Sequence, residues 1–115
     1  MTIPGLHLTQ IGSGDFLLEP ASSLNIREHD SLIESITAHL LQAHPARLYY
    51  DLSGLPLIDP LYYSWLDALA RATKIVNVKM ICINMQPTAA FSMSKFIRKM
   101  PVFETALGIQ ETSLL

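Results

Sequence analysis

Between Asp51 and Ser64 the chain gathers side chains that can do chemistry: two carboxylates, Asp51 and Asp59, two hydroxyls, Ser53 and Ser64, and two phenols, Tyr62 and Tyr63. A carboxylate beside a serine is material for acid–base or acyl-transfer catalysis. Such catalysis also needs a base held against the nucleophile. No nucleophile elbow, phosphate loop or metal set accompanies these residues in the sequence. Gly12-Ser13-Gly14 lies between two expected strands, not at a strand-to-helix junction. The histidines are His7, His29, His39 and His44, and the last two are five apart, not the four that would share a helical face. No Cys or carboxylate completes a metal-ligand spacing around them, so they read as surface histidines. Cys82, the one cysteine, sits in an apolar run where thiols are buried and inert, and it has no partner for a disulfide within the chain. The expectation is no metal, no cofactor and no catalytic residue.

What remains around this stretch is a surface. Tyr49, Tyr50, Tyr62, Tyr63 and Trp65 concentrate there, and neighbours along a strand face opposite sides, so they do not all point inward. Tyr and Trp are favoured interface anchors, which predicts that Tyr62 or Tyr63 is exposed and used in protein contact. Lys95, Arg98 and Lys99 form the main basic cluster. They are expected in the last turns of a third helix, where cations suit the helix dipole, or they face an acidic partner.

The positioning elements follow from pattern. Arg47 to Leu52 is rich in β-formers and reads as a strand. Ser53, Gly54 and Pro56 break it into a loop, with Gly54 expected to serve the loop backbone. Asp59 is placed to cap a helix, and Pro60 suits its first position. That helix runs to about Lys74, with Tyr62, Trp65, Leu66, Leu69 and Ala70 as its apolar stripe and Asn77 to close it. Leu6–Ile11 and Phe16–Glu19 are expected as a hairpin around Gly12-Ser13-Gly14-Asp15. Asn25 and Glu28 have capping-box spacing for a first helix, which carries Leu32, Ile33, Ile36, Leu40 and Leu41 on one side and ends near His44, before Pro45. Val78–Met85 is a continuously apolar strand, expected to be covered on both faces. Pro87 opens a third helix with Ala89, Ala90, Met93, Phe96, Ile97 and Met100 on its buried face and Pro101 as its stop. Val102–Thr105 is a last short strand, and 108–115 a tail with partial helix. The order is β-β-α-β-α-β-α-β, an α/β domain with a small, mainly parallel sheet.

Asp51-Leu52-Ser53-Gly54-Leu55-Pro56-Leu57-Ile58-Asp59 resembles the signature of the STAS domain, the family of sulphate-transporter tails and anti-sigma-factor antagonists. That signature is an apolar strand, then D-L-[ST]-G-V-x-x-[IM]-D-S, then a helix. Met85-Gln86-Pro87 is similar to the opening of the family's third helix, and Glu104-Thr105-Ala106-Leu107 is closer to the stressosome scaffold proteins of the RsbS and RsbR type. The resemblance implies a STAS-like single domain over 1–115, with helices mostly on one face of the sheet and the first strand set apart. It also implies a non-catalytic role: binding a serine-kinase-type anti-sigma or switch protein, or other STAS domains, through Ile58, Asp59, Pro60, Leu61, Tyr62 and Tyr63. One departure is large. The family's phosphorylatable Ser is replaced by Pro60, which has no hydroxyl; Ser53 and Ser64 are the nearest substitutes. Asp59 is read in the family as part of the kinase-facing surface, and equally as a helix cap worth about 1 kcal/mol. A scaffold subunit without switching and a small ligand-binding α/β domain remain as alternatives.

Composition bounds these readings. At 115 residues the chain has room for one core without staples. Half its residues are apolar, mean hydropathy is +0.29, and 16% are charged against roughly 25% in an average domain. So few charges fit a well-filled core or, more sharply, an apolar patch used in an oligomer or a stable partner interface. A net charge of −2 with a single short basic cluster argues against nucleic acid. The start, Met1-Thr2-Ile3-Pro4-Gly5, lacks the features of a secretory leader, and no apolar run approaches the ~20 residues of a membrane span. With a lone cysteine, the expected setting is the cytoplasm.

Overall fold

The structure is a computed structural model that describes residues 3–109. Its elements are β1 (Leu6–Gln10), β2 (Phe16–Pro20), α1 (His29–Ala43), β3 (Arg47–Asp51), α2 (Pro60–Ile75), β4 (Lys79–Ile83), α3 (Pro87–Ser94) and β5 (Glu104–Ala106). The strands form one sheet in the order β1-β2-β3-β4-β5. β1 runs antiparallel to β2 as the expected hairpin, and every later pairing is parallel. The first strand is thus an edge strand, joined to the sheet and reversed in direction.

A monotone strand order has a geometric consequence. Each crossover steps the same way across the sheet, and right-handed crossovers then put every helix on one face. The core shows this. Phe16, Leu48 and Met80 stand in one cross-strand row, and Leu18, Tyr50 and Cys82 in the next. Both rows pack against Leu32, Ile36 and Leu40 of α1, Trp65, Leu66 and Leu69 of α2, and Ala89 and Met93 of α3. The opposite face carries a smaller cluster of Tyr49, Ile81 and Ile83, flanked by Leu17, Ile11 and Ala106, with no helical residue in it. So β4 is buried on both faces, as its unbroken apolar run implies, although helices cover only one of them.

The hairpin turn is tied to β3 by a side chain. Asp15 is buried and its carboxylate accepts the Arg47 amide at 3.0 Å, which fixes the turn against the first residue of β3. Gly5 adopts φ +85°, and a Cβ there would stand 2.6 Å from the Leu24 Cα. That approach explains why this position has no side chain.

Several expectations shift. The Asn25/Glu28 pair does not cap α1: its side chains bond each other at 3.1 Å in a turn, and the helix begins at His29 with no side-chain cap. His44 takes a left-handed conformation and ends α1 by donating its amide to Leu40, which settles the geometry demanded by Pro45. Asn77, at φ 64°, closes α2 as expected. α3 is shorter than its sequence pattern: it stops at Ser94, Ala90 is exposed, and Met100 is 90% exposed. Phe96 and Ile97 still pack on the core from the segment beyond the helix. β5 falls at 104–106, two residues later than expected, and most of the 108–115 tail lies outside the described residues.

Candidate functional site

Asp51 ends β3, and its carboxylate is spent on the loop that follows. One oxygen accepts the Ser53 amide at 3.0 Å and the Asn84 side-chain amide at 3.2 Å; the other accepts the Ser53 hydroxyl at 3.0 Å. Asp51 and Ser53 therefore satisfy each other as an Asx turn. Gly54 has open space around a Cβ and no positive φ, so the loop does not need a glycine there, contrary to the sequence expectation.

The rest of the loop is stitched to the start of α3. The Gln86 side chain donates to the Ser53 carbonyl at 2.7 Å, and Thr88 donates to the Pro56 carbonyl. The Ser92 hydroxyl accepts the Ile58 amide at 3.0 Å while donating to Ala89 at 2.8 Å. Sequence reasoning missed these three residues. Thr88 and Ser92 are four apart on α3, a polar pair on one face of a helix expected to be apolar, and that was the available signal.

Ile58 is fully buried. As a partner-binding residue it is corrected: its side chain plugs the loop into the core, and a plug has no surface to offer. Asp59 caps α2, accepting the Tyr62 amide at 2.8 Å, and Pro60 occupies the first helical position, both as expected. Asp59 and Pro60 are exposed, and so are the apolar neighbours Leu57 (64%) and Leu61 (39%). Ser64 is exposed one turn beyond Pro60.

Tyr62 and Tyr63 are half-buried, so neither is the freely exposed anchor the sequence predicts. Trp65 donates its indole N–H to the Tyr50 oxygen at 2.8 Å, and the Tyr50 and Tyr62 hydroxyls bond each other. Tyr50 is fully buried and its proton needs an acceptor. Tyr62 supplies it, so the chain runs from Trp65 through Tyr50 to Tyr62. Burial pushes the Tyr50 phenol well up and Tyr62 up to about 12. Tyr63 lies edge-on to Phe96 (5.7 Å) and Phe103 (6.0 Å). Cys82 is buried, and desolvation drives its thiol far up, away from reactive thiolate.

Lys95, Arg98 and Lys99 fall beyond the end of α3, not in its last turns. Lys95 sits over the Phe91 ring at 4.7 Å. Among the described residues no three His, Cys, Asp or Glu side chains come together as metal ligands, and no helix is long and apolar enough to cross a membrane. The site is thus an exposed, partly apolar patch on a well-tied loop and helix start.

Comparison with known proteins places the architecture. No family model matches the sequence, and no curated protein is significantly similar to it. Solved structures do match. A Ser-to-Glu variant of RsbS from Moorella thermoacetica superposes with a TM-score of 0.71 at 13% identity, over 90% of this chain and 87% of that one. The NMR structure of the protein TM1081 superposes with a TM-score of 0.67 at 12% identity, over 93% of this chain and 82% of that one. The fold is STAS-like, as the signature over Asp51–Asp59 implies.

Proposed function

We propose that this chain is a non-catalytic protein-interaction module of the anti-sigma-factor-antagonist kind. It binds a serine-kinase-type anti-sigma or switch protein, or other STAS domains, through Asp59, Pro60 and Leu61, with Leu57 beside them and the edges of Tyr62 and Tyr63. The observation that carries this reading is the exposed apolar pair Leu57 and Leu61 flanking Asp59-Pro60. Exposed leucines on a loop and helix start whose Asp51, Ser53 and Asp59 side chains are already hydrogen-bonded have packing to offer and little chemistry. The fold shared with RsbS supports the same reading. Pro60 forms no phosphoester, so the surface acts as a constitutive binder or as a scaffold subunit of a stressosome-like assembly, in the cytoplasm.

The test is light-scattering mass and cross-linking of the full chain and of a Leu57→Asp/Leu61→Asp variant, with phosphosite mapping of protein purified from its native host. The expected result is wild-type assembly with itself or with a STAS or kinase-type partner, no phosphate on Ser53 or Ser64, and loss of assembly in the variant at unchanged melting temperature. Phosphate on either serine overturns the constitutive reading. A wild-type chain that stays monomeric and unlinked overturns the interaction reading.

A further inference from the structure

We infer that the groove beside Pro60 docks an acidic segment of a partner protein that carries a large apolar side chain beside its carboxylates. The inference rests on the interaction reading above and names the chemistry of the partner. The groove, about 500 Å³, lies between α2 and the stretch after α3. Pro60, Ser64, Asp67 and Arg71 line its α2 side at helical spacing, one above another on a single face. Arg98, Lys99 and Met100 line the other side.

Charge decides what fits. Asp67 holds Arg71 at 2.8 Å, so that pair is internally compensated. Among the described residues Arg98 and Lys99 have no carboxylate within ion-pair distance, and both are exposed. Three cations against one carboxylate leave the groove with two positive charges, on a chain whose net charge is −2. The structural reason the sequence offered for these cations is gone: α3 ends at Ser94, so Arg98 and Lys99 do not sit in its last turn to balance its dipole. Lys95 differs, because it already rests on Phe91.

The floor is apolar. Tyr63 and Phe96 meet edge to face, and Met100 stands almost wholly exposed at the rim. Aromatic rings and a methionine accept a varied apolar side chain. The free cations Arg98 and Lys99, together on one wall, then select a segment with carboxylates beside that side chain. Pro60 belongs both to this groove and to the surface proposed above, so the two are continuous.

The test uses the full chain and two fluorescein-labelled peptides, one with Leu and Phe on one helical face bordered by Glu, the second with Lys replacing each Glu. Anisotropy should show binding of the Glu peptide alone, weakened by salt. Arg98→Glu/Lys99→Glu should weaken it roughly tenfold or more, Arg98→Gln/Lys99→Gln by less, and Arg27→Glu, outside the groove, should leave it unchanged. Melting temperatures should not move, since the substituted side chains are exposed. Equal binding of the Lys peptide, or no effect of the reversal pair, overturns the inference. If the Glu peptide fails while Leu57→Asp/Leu61→Asp still abolishes assembly, the groove falls alone and the interaction reading stands.

Discussion

Tyr50 carries more of the local structure than its neighbours. Replacing it by Phe strands the buried indole N–H of Trp65, a loss of about 1–3 kcal/mol. Tyr62→Phe takes away the acceptor of the buried Tyr50 hydroxyl and should also cost about 1–3 kcal/mol. Urea denaturation of the two variants checks both losses. The same phenols and Cys82 set the alkaline limit of the fold. Their folded pKa values are raised by burial, so the native state keeps protons that the unfolded chain gives up. Stability is therefore complete below about pH 8, falls as the unfolded thiol ionises around its ordinary value of about 8.5, and falls further near pH 10 with the phenols. Each group contributes a slope of about 1.4 kcal/mol per pH unit. Urea midpoints between pH 8 and 11 should show the fall, and Cys82→Ala should delay its onset. The Asp59 cap was legible in the sequence because capping is a local matter of residue type and spacing. The side that Tyr62 presents to the core was legible too, since Tyr62 falls on the apolar stripe of α2; its hydrogen bond to Tyr50 was not, because it depends on Tyr50 and Trp65 meeting across the core. For Ile58 the pattern showed an apolar residue in a loop and could not say whether it faced in or out.

At the scale of elements, the loop between β3 and α2 and the start of α3 behave as one unit. Asp59→Ala should lower stability by about 1 kcal/mol through the lost cap, with Asp59→Asn retaining most of it. Ser92→Ala leaves the Ile58 amide without its acceptor, and hydrogen exchange at that amide should accelerate while α1 is unaffected. Met100→Ser should leave stability within about 0.5 kcal/mol, a result that a helix reaching residue 100 with Met100 inward would not allow. Strand and helix order was readable from periodicity and from prolines at helix starts. Helix ends were less so. The apolar spacing through Phe96 and Ile97 continues past Ser94 because those side chains pack on the core from an irregular segment, and burial keeps its period even where hydrogen bonding stops. The Asn25/Glu28 pair misled in the opposite way, since the same two side chains satisfy a turn as readily as a helix start.

For the whole molecule, alternating strands and helices implied a mainly parallel sheet, while helices mostly on one face were implied by the STAS resemblance, and the observed strand order supplies the reason. The second small cluster, on Tyr49, Ile81 and Ile83, was half legible: the unbroken apolar run of β4 demanded cover on both sides, but nothing local said that strand side chains would provide it. The Asp15 tie from turn to β3 was hidden for the same reason, because it spans two elements far apart in sequence. The monotone strand order also bears on how the chain reaches its structure. Every strand pairs with the one made just before it, so a ribosome releases the sheet in the order in which it is assembled. No early strand waits for a late one to fill a gap at its side; the first closing step spans only a turn and each later one a single helix, at an entropy cost that rises only with the logarithm of its length. Synthesis can therefore proceed with little unpaired edge exposed beyond the newest strand, which limits the time available for the emerging chain to find the wrong partner.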